Sequence, residues 1–350
     1  MRARDVPGLS LRGEPGPLNA IVDVAGVRVG HATIIRGDSV RTGVTVIEPA
    51  LQPPWRSPLF AGCHTLNGNG ELTGLEWVRE SGTLTSSIAL TNTHSVGVVR
   101  DALVRAQARE RDPQELWWST PVVGETWDGV LNDVACQHVT ADHVDAALAA
   151  LRDDVVEEGN VGGGTGMICH GFKGGIGTAS RVVDNGFTVG VLVQANHGRR
   201  ERLTVVGVPV GERIDVPLPA APAGGAGSIV VVVATDAPLL PHQCDRLAQR
   251  AGLGVARLGA GGEHFSGDLF FAFATGNTGL PASDYGASSP LTVPLQMLSN
   301  TFITPLFDAV SDATEEAILN ALLAAETMTG RDGITAWALE AAALEEALAR

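Results

Sequence analysis

Residues 216–227 read VPLPAAPAGGAG, and the next residue, Ser228, opens the most strand-like run of the chain, SIVVVVAT. Proline removes backbone donors and fixes φ, and glycine leaves the backbone loose, so the first segment holds neither a helix nor a central strand. The run that follows is apolar at successive positions, as a buried strand is. A loop that stops abruptly at a small polar residue on a buried strand constrains this chain more than any other feature.

Two readings of that junction stand side by side. In the plain one, Ser228 merely starts a strand after a linker. In the chemical one, Ser228 Oγ attacks the carbonyl of Gly227, and hydrolysis of the resulting ester splits the chain. Glycine at 227 suits this, because it has no side chain to block approach and tolerates strained dihedrals. After the cut, Ser228 carries a free α-amine whose unperturbed pKa is about 8, a usable base near neutrality. One residue then supplies both nucleophile and proton acceptor, with no histidine and no cofactor required.

The remaining pattern mixes strands and helices. Residues 20–24, 45–47, 87–90, 187–193, 203–206 and 268–275 read as strands, with 187–193 and 203–206 central because they are apolar and contain little glycine. Residues 101–110 and 142–158 read as helices, the second capped by Thr140. A further helix carries Pro241 in its first turn and Gly252 just past its end, and helices over 312–328 and 334–349 close the chain.

With 350 residues, 44% of them hydrophobic, the chain can bury a substantial core as one α/β unit. Its net charge of -15 opposes binding to nucleic acid and to anionic membranes. The longest aliphatic run, at 229–234, is too short to span a bilayer, and residues 1–16 lack an apolar leader segment. Four scattered cysteines without a CxxC pair read as free buried thiols in a reducing compartment, which makes the cytoplasm the expected location.

The run GSIVVVVATDAPLLPHQCDRLAQRAGLG resembles the start of the small subunit in the L-aminopeptidase/D-Ala-esterase/amidase family, which is related to the β-peptidyl aminopeptidases. VDVAGVRVGHAT, LNGNGELTGLEWVRESG, GNVGGGTGMICHGFKGGIGTASR and LLAAETMTGRDG resemble stretches of the same family in the same order. Single glycine-rich pieces are weak signals; five in order are a strong one. The resemblance implies a four-layer αββα sandwich of N-terminal-nucleophile type with its own connectivity. It also implies one hydrolase domain, 1–350, self-cleaved into a large subunit, 1–227, and a small subunit, 228–350. Processed pairs are expected to assemble as a homo-oligomer, and the substrate is a small peptide, amide or ester with a free amine.

Site residues follow one at a time. Ser266 and Asp268 match the family's Ser-Gly-acid step beside the nucleophile. Residues two apart on a strand share a face, so both side chains are expected to point to one site; a polar strand start with Asp268 in solvent fits the spacing equally well. Asn196 corresponds to an asparagine that donates to the oxyanion, although an asparagine before a turn is also commonplace. Glu125, in GETWDG, is the candidate carboxylate for the substrate ammonium, since a buried unpaired cation is unfavourable. Relatives place a tyrosine near this segment as a second oxyanion donor, whereas this chain has Trp127, and its only tyrosine is Tyr285. Either the indole N–H or the Ile229 backbone N–H then serves as second donor, or Trp127 is a pocket wall or packing residue.

Other chemistries find less support. GNVGGGTG lacks the Gly-Lys-Ser/Thr ending of a phosphate loop and reads as glycine that lets layers approach closely. His138 and His143 lack the HExxH pattern and a third ligand, and read as surface or capping residues, so no metal is expected. His197 has no assigned role, and Glu115, Trp117 and Trp118 suggest packing or a subunit contact. Three functions remain in view: a self-processed serine aminopeptidase or amidase, a version specialised for β-amino-acid peptides, D-amino-acid amides or ω-amino oligomers, and an uncleaved binding protein of the same fold. Ornithine acetyltransferases, on a similar fold, use threonine where this chain has Ser228.

Overall fold

The computed structural model describes residues 1–220, 227–260, 262–282, 285 and 289–350. In chain order the strands are β1 (Arg28–Arg36), β2 (Val40–Glu48), β3 (Leu59–Gly68), β4 (Thr83–Leu84), β5 (Ile88–Asn92), β6 (Val122–Thr126), β7 (Ile168–Cys169) and β8 (Phe172–Lys173). They continue with β9 (Gly175–Val182), β10 (Thr188–Asn196), β11 (Ser228–Thr235), β12 (Gly267–Ala274), β13 (Met328–Thr329) and β14 (Thr335–Ala336). The α-helices are α1 (Leu75–Ser81), α2 (Val96–Arg109), α3 (Ala141–Ala149), α4 (Pro241–Arg257), α5 (Thr304–Ala324) and α6 (Ala341–Ala349).

Two sheets stack face to face. The larger runs β4-β3-β12-β11-β10-β9 and the smaller runs β1-β2-β5-β6. Val230, Val232, Leu192, Leu269 and Phe271 of the larger sheet meet Val29, Ile47, Ile88, Leu90 and Val122 of the smaller one. On the far side of the larger sheet, Ile229, Val231, Val233 and Phe270 pack under Leu247, Ala251, Leu306 and Val310 of α4 and α5. On the far side of the smaller sheet, Val44, Val46 and Val123 pack under Val99, Leu103, Val144 and Ala147 of α2 and α3. The result is the expected αββα order. It explains why β11 is apolar at every position from Ile229 to Ala234: alternate residues serve two different cores.

Glycine sets the spacing of these layers. A Cβ on Gly163 would run into Gln194 Oε1 of the larger sheet and stand 2.7 Å from the Leu90 carbonyl of the smaller one. The glycine-rich segment thus lets the layers approach, as its sequence suggests.

Several sequence expectations are corrected. Residues 20–24 are not a strand but contain a 3-10 turn, Ile21–Asp23. The Asp23 carboxylate takes the backbone N–H groups of Leu18 and Ala20 at 3.0 and 3.1 Å, which competes with a sheet ladder. Residues 203–206 are not a central strand. Val205 and Val208 bridge across Val206 (φ 44°) and Gly207 (φ 83°), a tight turn with both central residues left-handed. Helix α3 stops at Ala149 rather than 158, because Arg152 pairs with Val29 at the edge of β1.

Gly252 lies inside α4, not past its end; a Cβ there would be 3.2 Å from Phe270 Cε2, so this glycine serves close packing. The helix ends instead at Arg257, with Gly259 (φ 89°) beyond the cap. Helix α5 starts at Thr304, with a proline in its first turn, and stops at Ala324, because Met328–Thr329 and Thr335–Ala336 pair as a hairpin. That hairpin also delays α6 to Ala341. Strands β1, β3, β6 and β9 were not anticipated as such.

Of the loop at 216–227, residues 216–220 and Gly227 are neither helix nor strand, and 221–226 lie outside the described residues. All four cysteines are unpaired; Cys169 and Cys244 are buried as expected, but Cys136 is exposed. Among the described residues no helix is long and apolar enough to cross a membrane.

Candidate active site

Strand β11 begins at Ser228, as its sequence predicts. The register sets Asn196, the last residue of β10, opposite Ser228 on one side, and Gly267, the first residue of β12, on the other. By the pleat, Ser228 shares the face of Val230 and Val232, which look into the space between the sheets. Only 4% of Ser228 is exposed. Directly before it, a Cβ on Gly227 would stand 3.0 Å from His197 Cα and 3.1 Å from the Asn196 carbonyl oxygen, tighter than most real contacts. Position 227 therefore favours glycine on steric grounds alone.

The Asn196 amide is held at both ends. Its Oδ1 accepts the Ile168 N–H at 2.8 Å, and its Nδ2 donates to the Trp127 carbonyl at 3.0 Å. A side-chain amide has two N–H groups, so one remains available beside Ser228. Trp127 enters through its main chain, while its indole folds directly over Gly129. Ile229, the other suggested donor, sits in register with Ala195 and Asp268 inside the sheet. Tyr285 is exposed.

Ser266 and Asp268 do share a site: Ser266 Oγ donates to Asp268 Oδ1 at 2.7 Å, and both are buried. Burial pushes the Asp268 carboxyl up; the Ser266 bond opposes this and the nearby Glu263 adds to it. The two residues flank Gly267, so they lie on the opposite pleat face from Ser228 at the same end of the strand pair. Among the described residues no hydrogen bond joins either of them to Ser228.

Glu125 comes from the other sheet. Parallel pairing of β5 with β6 sets it opposite Thr91. Its Oε1 accepts the Glu71 N–H at 3.0 Å, and its Oε2 accepts from Thr93 Oγ1. Gly70 is wedged between this carboxylate and β12: a Cβ there would be 3.1 Å from Glu125 Oε1 and 3.3 Å from Gly267 Cα. Glu125 is therefore brought across the sandwich to the level of Ser228. Burial raises its pKa, and the bonds from Thr93 and Glu71 hold it back.

Three further polar residues here escaped the sequence reading. Thr93 holds Glu125; Asp128 is fully buried beside Trp127, with Asn132 Nδ2 donating to it at 3.1 Å. Lys173 is buried with Nζ on the carbonyls of Gly164 and Gly174, at 3.2 and 2.8 Å. Burial pushes Asp128 up to about 7 and Lys173 down to about 7. No periodicity marks such residues, because their burial depends on which segments cover them. His143 behaves as expected, its Nδ1 accepting the Thr140 N–H at the start of α3 at 3.0 Å. Trp118 packs edge-on against Trp77, and Arg111 lies over Trp117, so this segment does pack.

Residues 19–336 match peptidase family S58. The chain belongs to that family. The S58 match spans both sides of the 227–228 junction and takes in Glu125, Asn196, Ser228, Ser266 and Asp268. The chain is 47% identical to the β-peptidyl aminopeptidase BapA of Sphingosinicella microcystinivorans, with 95% of this chain and 88% of that protein aligned. Its fold superposes on a β-aminopeptidase of a Burkholderia species with a TM-score of 0.95 at 56% identity, covering 100% and 98% of the two chains. It superposes on the L-aminopeptidase D-Ala-esterase/amidase of Ochrobactrum anthropi with a TM-score of 0.91 at 42% identity, covering 99% and 98%. That enzyme is described as a prototype for the serine aminopeptidases and a new variant of the N-terminal-nucleophile hydrolase fold. As an S58 member, this chain is a hydrolase of the aminopeptidase class on that fold variant.

Proposed function

We propose that this S58 peptidase is one hydrolase domain, 1–350, that cuts itself between Gly227 and Ser228 and then works with Ser228 as its N-terminal nucleophile. The observation that carries this is the register of Ser228 with Asn196 at the end of a rigid central strand, behind a glycine that no larger residue replaces without crowding. In self-cleavage, Ser228 Oγ adds to the Gly227 carbonyl, the C–N bond breaks and an ester forms. Water hydrolyses the ester, leaving a carboxylate on Gly227 and an amine on Ser228.

In turnover the Ser228 amine takes the hydroxyl proton, Oγ attacks the substrate carbonyl, and the free N–H of Asn196 stabilises the oxyanion. The amine then protonates the leaving group, and water releases the acyl group. In this reading Ser266, which donates to Asp268, accepts a hydrogen bond from the new amine at the end of β11. Glu125 receives the substrate ammonium, and Trp127 shapes the wall beside it. This chemistry calls for no cofactor, because the nucleophile brings its own base.

The substrates are small peptides, amides or esters with a free amine, and the β-aminoacyl class is favoured within them. The support is that the β-aminopeptidase relatives are 56% and 47% identical, against 42% for the L-aminopeptidase. Processed pairs form a homo-oligomer in the cytoplasm, and the charge of -15 argues against nucleic-acid or anionic-membrane partners.

Intact-mass spectrometry tests the core of the reading. Wild type is expected as two fragments that sum to the 36.3 kDa chain plus one water, and Ser228→Ala as one uncut chain. Fragments in both proteins would overturn it, and an active but uncut wild type would overturn the mechanism. A panel of α-L, α-D and β-aminoacyl anilides separates the substrate classes, and equal inertness toward all of them would point to a different substrate class.

A further inference from the structure

A second cluster of chemically capable side chains lies behind Asn196. Cys169 at the end of β7, His170 next to it and His197 just after β10 each present one ligand atom, and these atoms lie within 4.8 Å of one another. All three residues are at most 2% exposed.

The hydrogen bonding points to a ligand. His170 Nδ1 faces the Arg199 carbonyl at 3.0 Å. A carbonyl only accepts, so Nδ1 carries the ring hydrogen and Nε2 is a bare lone pair. That Nε2 is buried with no partner, and so is Nε2 of His197. A buried polar atom left unpaired is disfavoured, so the bare His170 Nε2 asks for an occupant, while His197 turns its other nitrogen, Nδ1, toward Cys169. Cys169 Sγ is 3.7 Å from His197 Nδ1. Sulfur and nitrogen ligands across a tetrahedral zinc ion stand roughly 3.5 Å apart, given bonds of about 2.3 and 2.0–2.1 Å.

We propose that Cys169, His170 and His197 bind one soft divalent transition-metal ion, zinc by preference. A thiolate with two imidazoles selects zinc-like ions over magnesium or calcium. Binding exchanges the Cys169 thiol proton for the metal, and that proton leaves to solvent. Two basic side chains nearby are already held by carbonyls and do not compete as ligands. Lys173 Nζ is held by the Gly164 and Gly174 carbonyls, and Arg200 is held by the carbonyls of His170, Gly171 and Val216.

The position gives the ion a structural consequence. His197 follows Asn196 directly, and Ile168, whose N–H orients the Asn196 amide, directly precedes Cys169. An ion joining residues 169 and 197 clamps together the two segments that aim that amide. The binding proposal itself does not depend on any catalytic role of Asn196 or Ser228.

Purified full-length protein, stripped with a chelator, is titrated with Co2+ and then Zn2+. The expected result is one Co2+ per chain with an intense thiolate-to-cobalt charge-transfer band that Zn2+ abolishes. Cys169→Ser should lose the band and bind Zn2+ more than about 100-fold more weakly, since loss of a group that merely orients a ligand already costs about 10–100-fold. His170→Gln provides an independent second variant, and circular dichroism confirms that each variant is folded. Asp133, Cys136 and His138 form another cluster, with Cys136 exposed, so Cys136→Ser serves as the control and should change nothing. A folded wild type without the band, a band that survives in Cys169→Ser, or one lost in Cys136→Ser would each overturn the proposal.

Discussion

Asn196 and Ser228 lie side by side in register across β10 and β11, and the Asn196 amide is fixed by the Ile168 N–H at 2.8 Å and the Trp127 carbonyl at 3.0 Å. An amide held at both ends needs no reorientation to donate its remaining hydrogen. Pre-orientation of this kind is what makes a donor effective toward charge that develops during a reaction.

Replacing Asn196 by alanine should therefore lower kcat by about 10²–10³-fold while leaving KM nearly unchanged. Steady-state kinetics on a chromogenic aminoacyl anilide measures this, with intact mass confirming that processing is unaltered. Unchanged kcat would place the oxyanion donor elsewhere.

Glu125→Gln keeps the shape and an acceptor for the Glu71 N–H but removes the charge. For substrates with a free amine, kcat/KM should fall by about 10–100-fold, chiefly through KM, as expected for losing one charge-assisted bond. Burial raises the pKa of Glu125, so the anion forms only above that raised value. Recognition of the amine should accordingly fade on acidification at a higher pH than an ordinary carboxylate gives. An amine-binding profile identical in the variant would remove Glu125 from this role.

Asp128 offers a stability test. Burial raises it to about 7 in the folded chain, against an ordinary value of about 3.9 when unfolded. Between those values the folded state holds a proton that the unfolded state has lost, so stability falls as pH rises through this window. Asp128→Asn removes that titration. Urea midpoints should drop from pH 5 to pH 8 in wild type, and drop less in the variant; parallel behaviour would contradict the assignment.

Gly163→Ala should loosen the sandwich. The added methyl meets Gln194 Oε1 and the Leu90 carbonyl at once, so neither sheet has room to yield alone. A loss of about 1–3 kcal/mol is expected from overpacking, read from urea unfolding with unchanged slope. A variant as stable as wild type would mean that the layers have slack at this point.

The elements that read correctly were those whose pattern is local. Ser228–Thr235 is a strand because each residue is apolar toward one of two cores, and Pro241 starts α4 because its ring suits a first helical turn. Residues 20–24 and 203–206 were misread for local reasons, the Asp23 carboxylate and the Val206–Gly207 turn, but three other misread elements had a remote cause. Val29 ends α3 by pairing with Arg152, Phe270 accounts for Gly252 inside α4, and Thr335–Ala336 draws Met328–Thr329 out of α5. At the site, the Ser266–Asp268 pair was legible through the family resemblance, the spacing alone having fitted a solvent-exposed Asp268 equally well. The partnership of Thr93 with Glu125 was not, because it depends on how β5 and β6 are paired.

Alone, the chain's order of residues determined a proline- and glycine-rich stretch before Ser228 that reads as neither helix nor central strand, a buried strand after it, and an αββα class implied by its motifs. Only the three-dimensional packing decided that Asn196 would stand opposite Ser228, that Glu125 would arrive from the other sheet at the same level, and that Asp128 and Lys173 would be buried. The reason is physical: hydrophobic periodicity specifies which face of an element is covered, whereas strand order and register specify by what, and those are settled by contacts between residues distant in the chain.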